Sequence, residues 1–133
     1  VQSEYFVSRE TVADALRALP RFADVFARLA HSMEIRAVAG DSLSASPFAT
    51  GEMLAIHLTW RRDPDAVRRE LPALEAALGH PRPHWGKLHA APPQQLSEQF
   101  PGLHALDGEA RRHDPSGMFR NAWVERLLGN EPA

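Results

Sequence analysis

Cysteine is absent from this sequence. That excludes a disulfide framework and any thiolate metal site, and it fits a reducing compartment, so the cytoplasm is the expected location. No apolar run approaches the roughly 20 residues needed to span a bilayer. The first residues lack the basic and apolar regions of a secretory signal. Charge is nearly balanced, at −2 over 133 residues, so nothing points to nucleic acid or an anionic membrane as partner. Glycine-rich phosphate loops, serine nucleophile elbows and basic–aromatic patches are missing as well.

What is present is one domain's worth of ordinary globular chain, 44% hydrophobic and 24% charged, long enough to bury a core. Gln2 to Val7 mixes aromatic, β-branched and polar residues and reads as a strand. A chain that opens on a strand is expected to be a piece of something longer. Ser8 is the expected N-cap of a helix whose face is Val12, Ala15, Leu16 and Leu19, ended by Pro20. Phe22, Val25, Phe26 and Leu29 repeat that spacing in a second helix closing near His31.

Two alternating runs follow. In the first, Met33, Ile35 and Ala37 share one face, and Glu34, Arg36 and Val38 the other. In the second, Leu54, Ile56, Leu58 and Trp60 oppose Ala55, His57 and Thr59. The loop between them, Gly40 to Gly51, has the length usually reserved for function or mobility. Asp63-Pro64 opens a helix with Val67, Leu71, Leu74 and Leu78 as its stripe and Gly79 as its end. Pro72 is expected to kink or split it. Short helices follow near 94–99 and 103–112, then a turn at Asp114-Pro115-Ser116-Gly117. Asn121 caps a last helix through Trp123, Leu127 and Leu128, stopped by Gly129. The order predicts an α+β fold: an antiparallel sheet covered on one face by helices, with a short helical C-terminal tail.

With Met33, Ile35, Leu54, Ile56, Leu58 and Trp60 under the helices, the other face would present Glu34, Arg36, His57 and Thr59. A carboxylate, a guanidinium, an imidazole and a hydroxyl on adjoining strands suit a polyhydroxylated ligand. The plain alternative is a solvated sheet face with a surface ion pair, and His57 satisfied by a neighbour. The segment Arg82-Pro83-His84-Trp85-Gly86-Lys87-Leu88-His89 is composed as if to meet that face. Lys87 alone would be an ordinary surface lysine, and Trp85 an ordinary core residue. Seven histidines raise the question of a metal. However, Pro81 and Pro83 break any helical alignment of His80 and His84, and no carboxylate sits among them at ligand spacing, so no metal is expected.

His84-Trp85-Gly86-Lys87 resembles the signature near the C-terminus of sugar and aldonolactone oxidases, flavoproteins of the vanillyl-alcohol oxidase type. Gln2 to Val7, Glu34-Ile35-Arg36, His57-Leu58-Thr59-Trp60 and Asp114 to Asn121 are similar to further motifs of that family, in the order of its alditol (xylitol or sorbitol) oxidase branch.

The resemblance implies FAD, often covalently attached, held by an N-terminal domain that this chain does not contain. By that pattern, residues 1–90 are the substrate (cap) portion. Residues 91–133 form a tail that packs toward the FAD domain, with Ala122, Trp123, Leu127, Leu128 and the Phe100 region exposed where the missing half would sit. Glu34 and Arg36 would grip substrate hydroxyls, and His57 and Thr59 would contact the polyol. Lys87 would stand near the reacting C1 hydroxyl and the flavin, with Trp85 as a pocket wall.

Arg36 and Lys87 would then be catalytic, supplying positive charge where alkoxide character develops. Whether Lys87 is also a base stays open, since Arg36 and Glu34 push its proton affinity in opposite directions. The implied reaction is oxidation of a polyol to an aldose, with O2 giving H2O2, by an enzyme of which this chain alone is an inactive part. An aldono-1,4-lactone oxidase or dehydrogenase and a non-catalytic carbohydrate-binding module are the other readings.

Overall fold

The computed structural model describes residues 1–128. In chain order the elements are β1 (Gln2–Ser8), α1 (Val12–Ala18), a 3-10 turn (Leu19–Phe22), α2 (Ala23–Leu29), β2 (Ala30–Val38) and β3 (Met53–Trp60). Then come α3 (Pro64–Ala77), the two-residue β4 (Arg82–Pro83), α4 (Pro93–Gln99), α5 (Gly102–His113) and α6 (Ala122–Leu127). The strands form one antiparallel sheet in the order β2-β3-β1-β4. The α+β expectation holds, and the two alternating runs are neighbours. The Gly129 stop lies outside the described residues.

One core lies between the sheet and the helices α1 to α3. Tyr5 and Val7 of β1, Ile56, Leu58 and Trp60 of β3, and Val67, Leu71, Leu74 and Leu78 of the α3 segment are all buried there. Each such side chain contributes roughly 1.5–3 kcal/mol when fully buried, which is why the period-2 and period-3.6 stripes end up facing each other. Asp63 caps α3 by accepting the Ala66 N–H at 3.0 Å. The helix runs unbroken through Pro72, so the expected split does not occur. Proline removes one ladder hydrogen bond there, and the seated leucine stripe outweighs that loss.

Other expectations need correction. Ser8 does not cap α1: it is still paired with Met53 in the sheet, and the cap position falls to Thr11. Leu16 is exposed, while Ala15, Ala18 and Leu19 carry the buried face of the first helical stretch. Most consequential is β2. Met33 and Ile35 stand on the helix side of the sheet but remain 42% and 46% exposed. The helices reach across β1 and β3 and stop short of the edge strand.

A second, smaller core gathers Ala91, Leu96, Phe100, Leu103 and Leu127, with Ala45, Trp85 and Leu128 packed against it. Phe100 and Leu127 are therefore internal to the tail and are not a bare docking surface. Trp123 remains partly exposed, and Met118 and Phe119 more so. The tail also holds the 40–51 loop. An ideal Cβ at Gly102 would overlap the Ser44 carbonyl, so only glycine lets α5 begin this close to the loop. Trp85 donates its indole N–H to the Ala45 carbonyl at 3.1 Å. Arg82 donates to the Pro47 carbonyl at 2.5 Å and to the Thr50 hydroxyl at 3.1 Å. The long loop is thus folded back over one end of the sheet, where Phe48 meets Phe6 edge-on with ring centroids 4.7 Å apart.

Candidate functional site

The sheet register builds the site. Glu34 of β2 faces His57 of β3, which faces Glu4 of β1, so these three lie in one cross-strand row. Arg36 and Thr59 follow two residues along their strands on the same side. All four candidates from the two alternating runs therefore share a face. That face is not uniformly solvated: His57 and Ala55 are buried, because the Phe6–Phe48 contact and the turn after β4 close over that part of the sheet.

That turn delivers Lys87. The His84 N–H bonds the Glu4 carbonyl at 2.8 Å and the Leu88 N–H bonds the Gln2 carbonyl at 2.9 Å, so residues 84–88 track along β1. Between these anchors the Lys87 N–H returns to the His84 carbonyl at 2.9 Å, making a tight turn. Gly86 donates its N–H to His84 Nδ1 at 3.1 Å. A Cβ at Gly86 would press within 3.2 Å of the His84 ring. Ser3 locks the far end by donating its hydroxyl to the Leu88 carbonyl at 2.7 Å while accepting the Trp60 indole N–H at 2.9 Å. His84 is thus a framing residue. Trp85 is not a wall of this site: it stacks with Trp123, centroids 6.3 Å apart, in the second core.

At the centre Lys87 Nζ lies 2.5 Å from Glu4 Oε2 and 3.3 Å from His57 Nδ1. His57 Nε2 lies 3.3 Å from the Thr59 hydroxyl. On the outer strand Arg36 donates to Glu34 Oε2 through Nε at 3.2 Å and through a terminal nitrogen at 2.5 Å, and its other terminal nitrogen lies 3.9 Å from Glu4 Oε1. The structure therefore brings Glu34, Arg36, His57, Thr59 and Lys87 together. It adds Glu4, which sequence reasoning passed over as one residue of a strand. Its alternation within Gln2 to Val7, opposite Tyr5 and Val7, was the available signal.

Burial of Glu4 by itself would raise its pKa. The hydrogen bond from Lys87 and its charge outweigh that and hold the carboxyl below its ordinary value. Glu34 is also held low, first by its hydrogen bond from Arg36. His84 is pushed down by burial and by Lys87. The result is a neutralised cluster of two carboxylates and two cations whose outer half is open to solvent. It can donate and accept directional hydrogen bonds but carries little net charge toward a ligand, which suits hydroxyls better than an anion.

The chain as a whole is similar to known oxidases. A family model described as D-arabinono-1,4-lactone oxidase matches residues 1–127. An alditol oxidase from a Streptomyces species is 38% identical over 96% of this chain, and L-gulonolactone oxidase of Mus musculus is 22% identical over 94%. The chain spans only 31% and 30% of the lengths of these two relatives. With nearly its whole length matched, it belongs to the D-arabinono-1,4-lactone oxidase family, as a C-terminal region of the alditol and aldonolactone oxidase type.

Proposed function

We propose that this chain is the substrate-binding part of an FAD-dependent oxidase that converts the C1 hydroxyl of an alditol to an aldehyde, with O2 reduced to H2O2. The observation that carries the reading is the convergence of Lys87, from a separate turn, on the same face as Glu34, Arg36, His57 and Thr59. Glu34 and Arg36 stay exposed at the outer edge, where they would grip substrate hydroxyls. Thr59 and Lys87 sit inward, where the reacting carbon would lie.

Lysine has three N–H donors. One serves Glu4 and a second reaches His57 Nδ1, which leaves the third for a substrate oxygen. Held against a carboxylate, Lys87 acts as a cationic donor that stabilises developing alkoxide, and not as a base. With Nδ1 accepting from Lys87, His57 carries its proton on Nε2 and donates to Thr59 Oγ1. The Thr59 O–H is then free to point outward to the ligand.

Flavin supplies hydride acceptance when bound. The chemistry of the donor set fits such a group, since the cations Arg36 and Lys87 would stabilise the negative charge gained on reduction. The part of the protein that holds the flavin would approach the tail, where the ordered Asp114–Asn121 loop presents Phe119 at 80% exposure. Asp114 shapes that loop by accepting the Met118 and Phe119 N–H groups, each at 2.8 Å.

The test uses the full-length, flavin-loaded protein. Lys87→Ala and Arg36→Ala should each lower kcat/KM on xylitol or sorbitol by about 10²- to 10³-fold. Parental kinetics in both variants would remove the assignment. The family description and the gulonolactone oxidase relatives favour a second substrate class, an aldono-1,4-lactone. Turnover of L-gulono-1,4-lactone in preference to any alditol would select it.

A further inference from the structure

We infer that Glu4 is the positioning residue of this site: one buried carboxylate fixes Lys87 as a donor and, through Lys87 and His57, sets which way the Thr59 hydroxyl points. The inference rests on the substrate-binding reading above and goes beyond it. No residue proposed to touch substrate can do this. Glu34 is tied to Arg36 at the open rim, while Glu4 is 8% exposed and stands under the cluster.

The groups that face Glu4 come from every neighbouring segment. Arg36 and Glu34 approach from β2, His57 from β3, and Lys87 and His84 from the turn after β4. Its two oxygens divide the work: Oε2 takes Lys87 at 2.5 Å, while Oε1 lies 3.6 Å from His57 Nδ1 and 3.9 Å from Arg36. The short contact is therefore the one to Lys87, and Arg36 adds attraction at longer range.

From there the bonds run in one direction. Lys87 donates one N–H to Glu4; with a second N–H donated to His57 Nδ1, His57 donates its Nε2–H to Thr59, and the Thr59 hydroxyl keeps its own hydrogen to donate outward. A chain of this kind is only as directional as its first donor. An ammonium donates and cannot accept, so the chain cannot be read backwards while Glu4 holds Nζ within reach of His57. A glutamine in its place has no charge, and an NH2 turned toward Lys87 would push Nζ away from His57.

The experiment is done on the full-length, flavin-loaded enzyme with Glu4→Gln, Lys87→Ala and the double variant. Glu4→Gln is expected to lower kcat/KM at least about tenfold. The loss should fall on kcat more than on KM, because the donor at the reacting hydroxyl is displaced while Glu34 and Arg36 still hold the polyol. The double variant should be no worse than Lys87→Ala alone, since the two residues act as one unit. Fully multiplicative losses, or a Glu4→Gln enzyme with parental kcat/KM beside an impaired Lys87→Ala, would overturn the inference and leave the site reading intact. Parental kinetics in Lys87→Ala would instead defeat the site reading, and this inference with it. If Glu4→Gln does not retain flavin, Glu4→Asp decides. It keeps the charge on a shorter arm that no longer reaches Nζ, so kcat should drop with KM changed less, and a parental kcat counts against the role.

Discussion

The strands β1 and β2 lie on either side of β3, and they live in different surroundings. In β1 every residue from Ser3 to Val7 is buried, on both faces of the sheet. In β2 only the two end residues are even partly covered. Their carboxylates follow suit: Glu4 is enclosed by three cationic or titratable neighbours, and Glu34 is clamped by one arginine in open solvent. The polar face of the sheet thus has one fixed side and one free side. Alternation is nearly the same in both strands, so position within the sheet produces the difference.

Core truncations should break the symmetry most. Ile56→Ala, on the central strand, should cost about 2–5 kcal/mol in chemical denaturation. Ile35→Ala, its neighbour across the register, should stay within about 0.5 kcal/mol. Equal losses would mean that β2 is packed as tightly as its neighbour. Next in size is the buried pin beneath β1. Glu75 accepts the Tyr5 hydroxyl at 2.9 Å and the Ala90 N–H at 2.7 Å, so Glu75→Ala should cost about 2–4 kcal/mol by leaving both donors unpaired.

Burial is the first cause of Glu75's raised pKa, against the bonds from Ala90 and Tyr5. Its favourable contribution is therefore full below its ordinary value of 4.5 and is lost as pH rises through its folded pKa. Glu75→Gln keeps an acceptor without the charge, and its melting temperature relative to the parent should climb as pH rises above 4.5. Glu4 behaves oppositely. With a depressed pKa, its contribution is full above 4.5 and is lost as pH falls through the folded value, so Glu4→Gln should flatten the acid side of the stability curve.

The smallest effect separates the two carboxylates directly. In a carboxyl NMR titration, Arg36→Ala should return Glu34 toward its ordinary value while Glu4 stays low on Lys87. Added salt should move Glu34 more than Glu4, since only the exposed pair is well screened.

Much of this was legible beforehand. The stripes of α3, the Asp63 cap, the Asn121 cap and the alternation of β3 follow from side-chain period and local hydrogen bonding, which neighbouring residues determine. Four strand positions of the site were readable for the same reason. Ser8 and Leu16 were misread because sheet pairing and helix docking overrode local preference at those points. Glu4 was not singled out, because its importance comes from Lys87, far away in sequence.

The sequence by itself determined which faces exist: periods of two and 3.6 place Glu34 with Arg36 and His57 with Thr59 whatever else the chain does. Only the tertiary structure decided which of those faces is dry. Burial depends on what crosses over a strand, and here the returning 40–51 loop and the turn at 84–87 cover Phe6, Ala55 and His57 while β2 is left bare. That enclosure makes a carboxylate on β1 the anchor of the site and one on β2 its open edge.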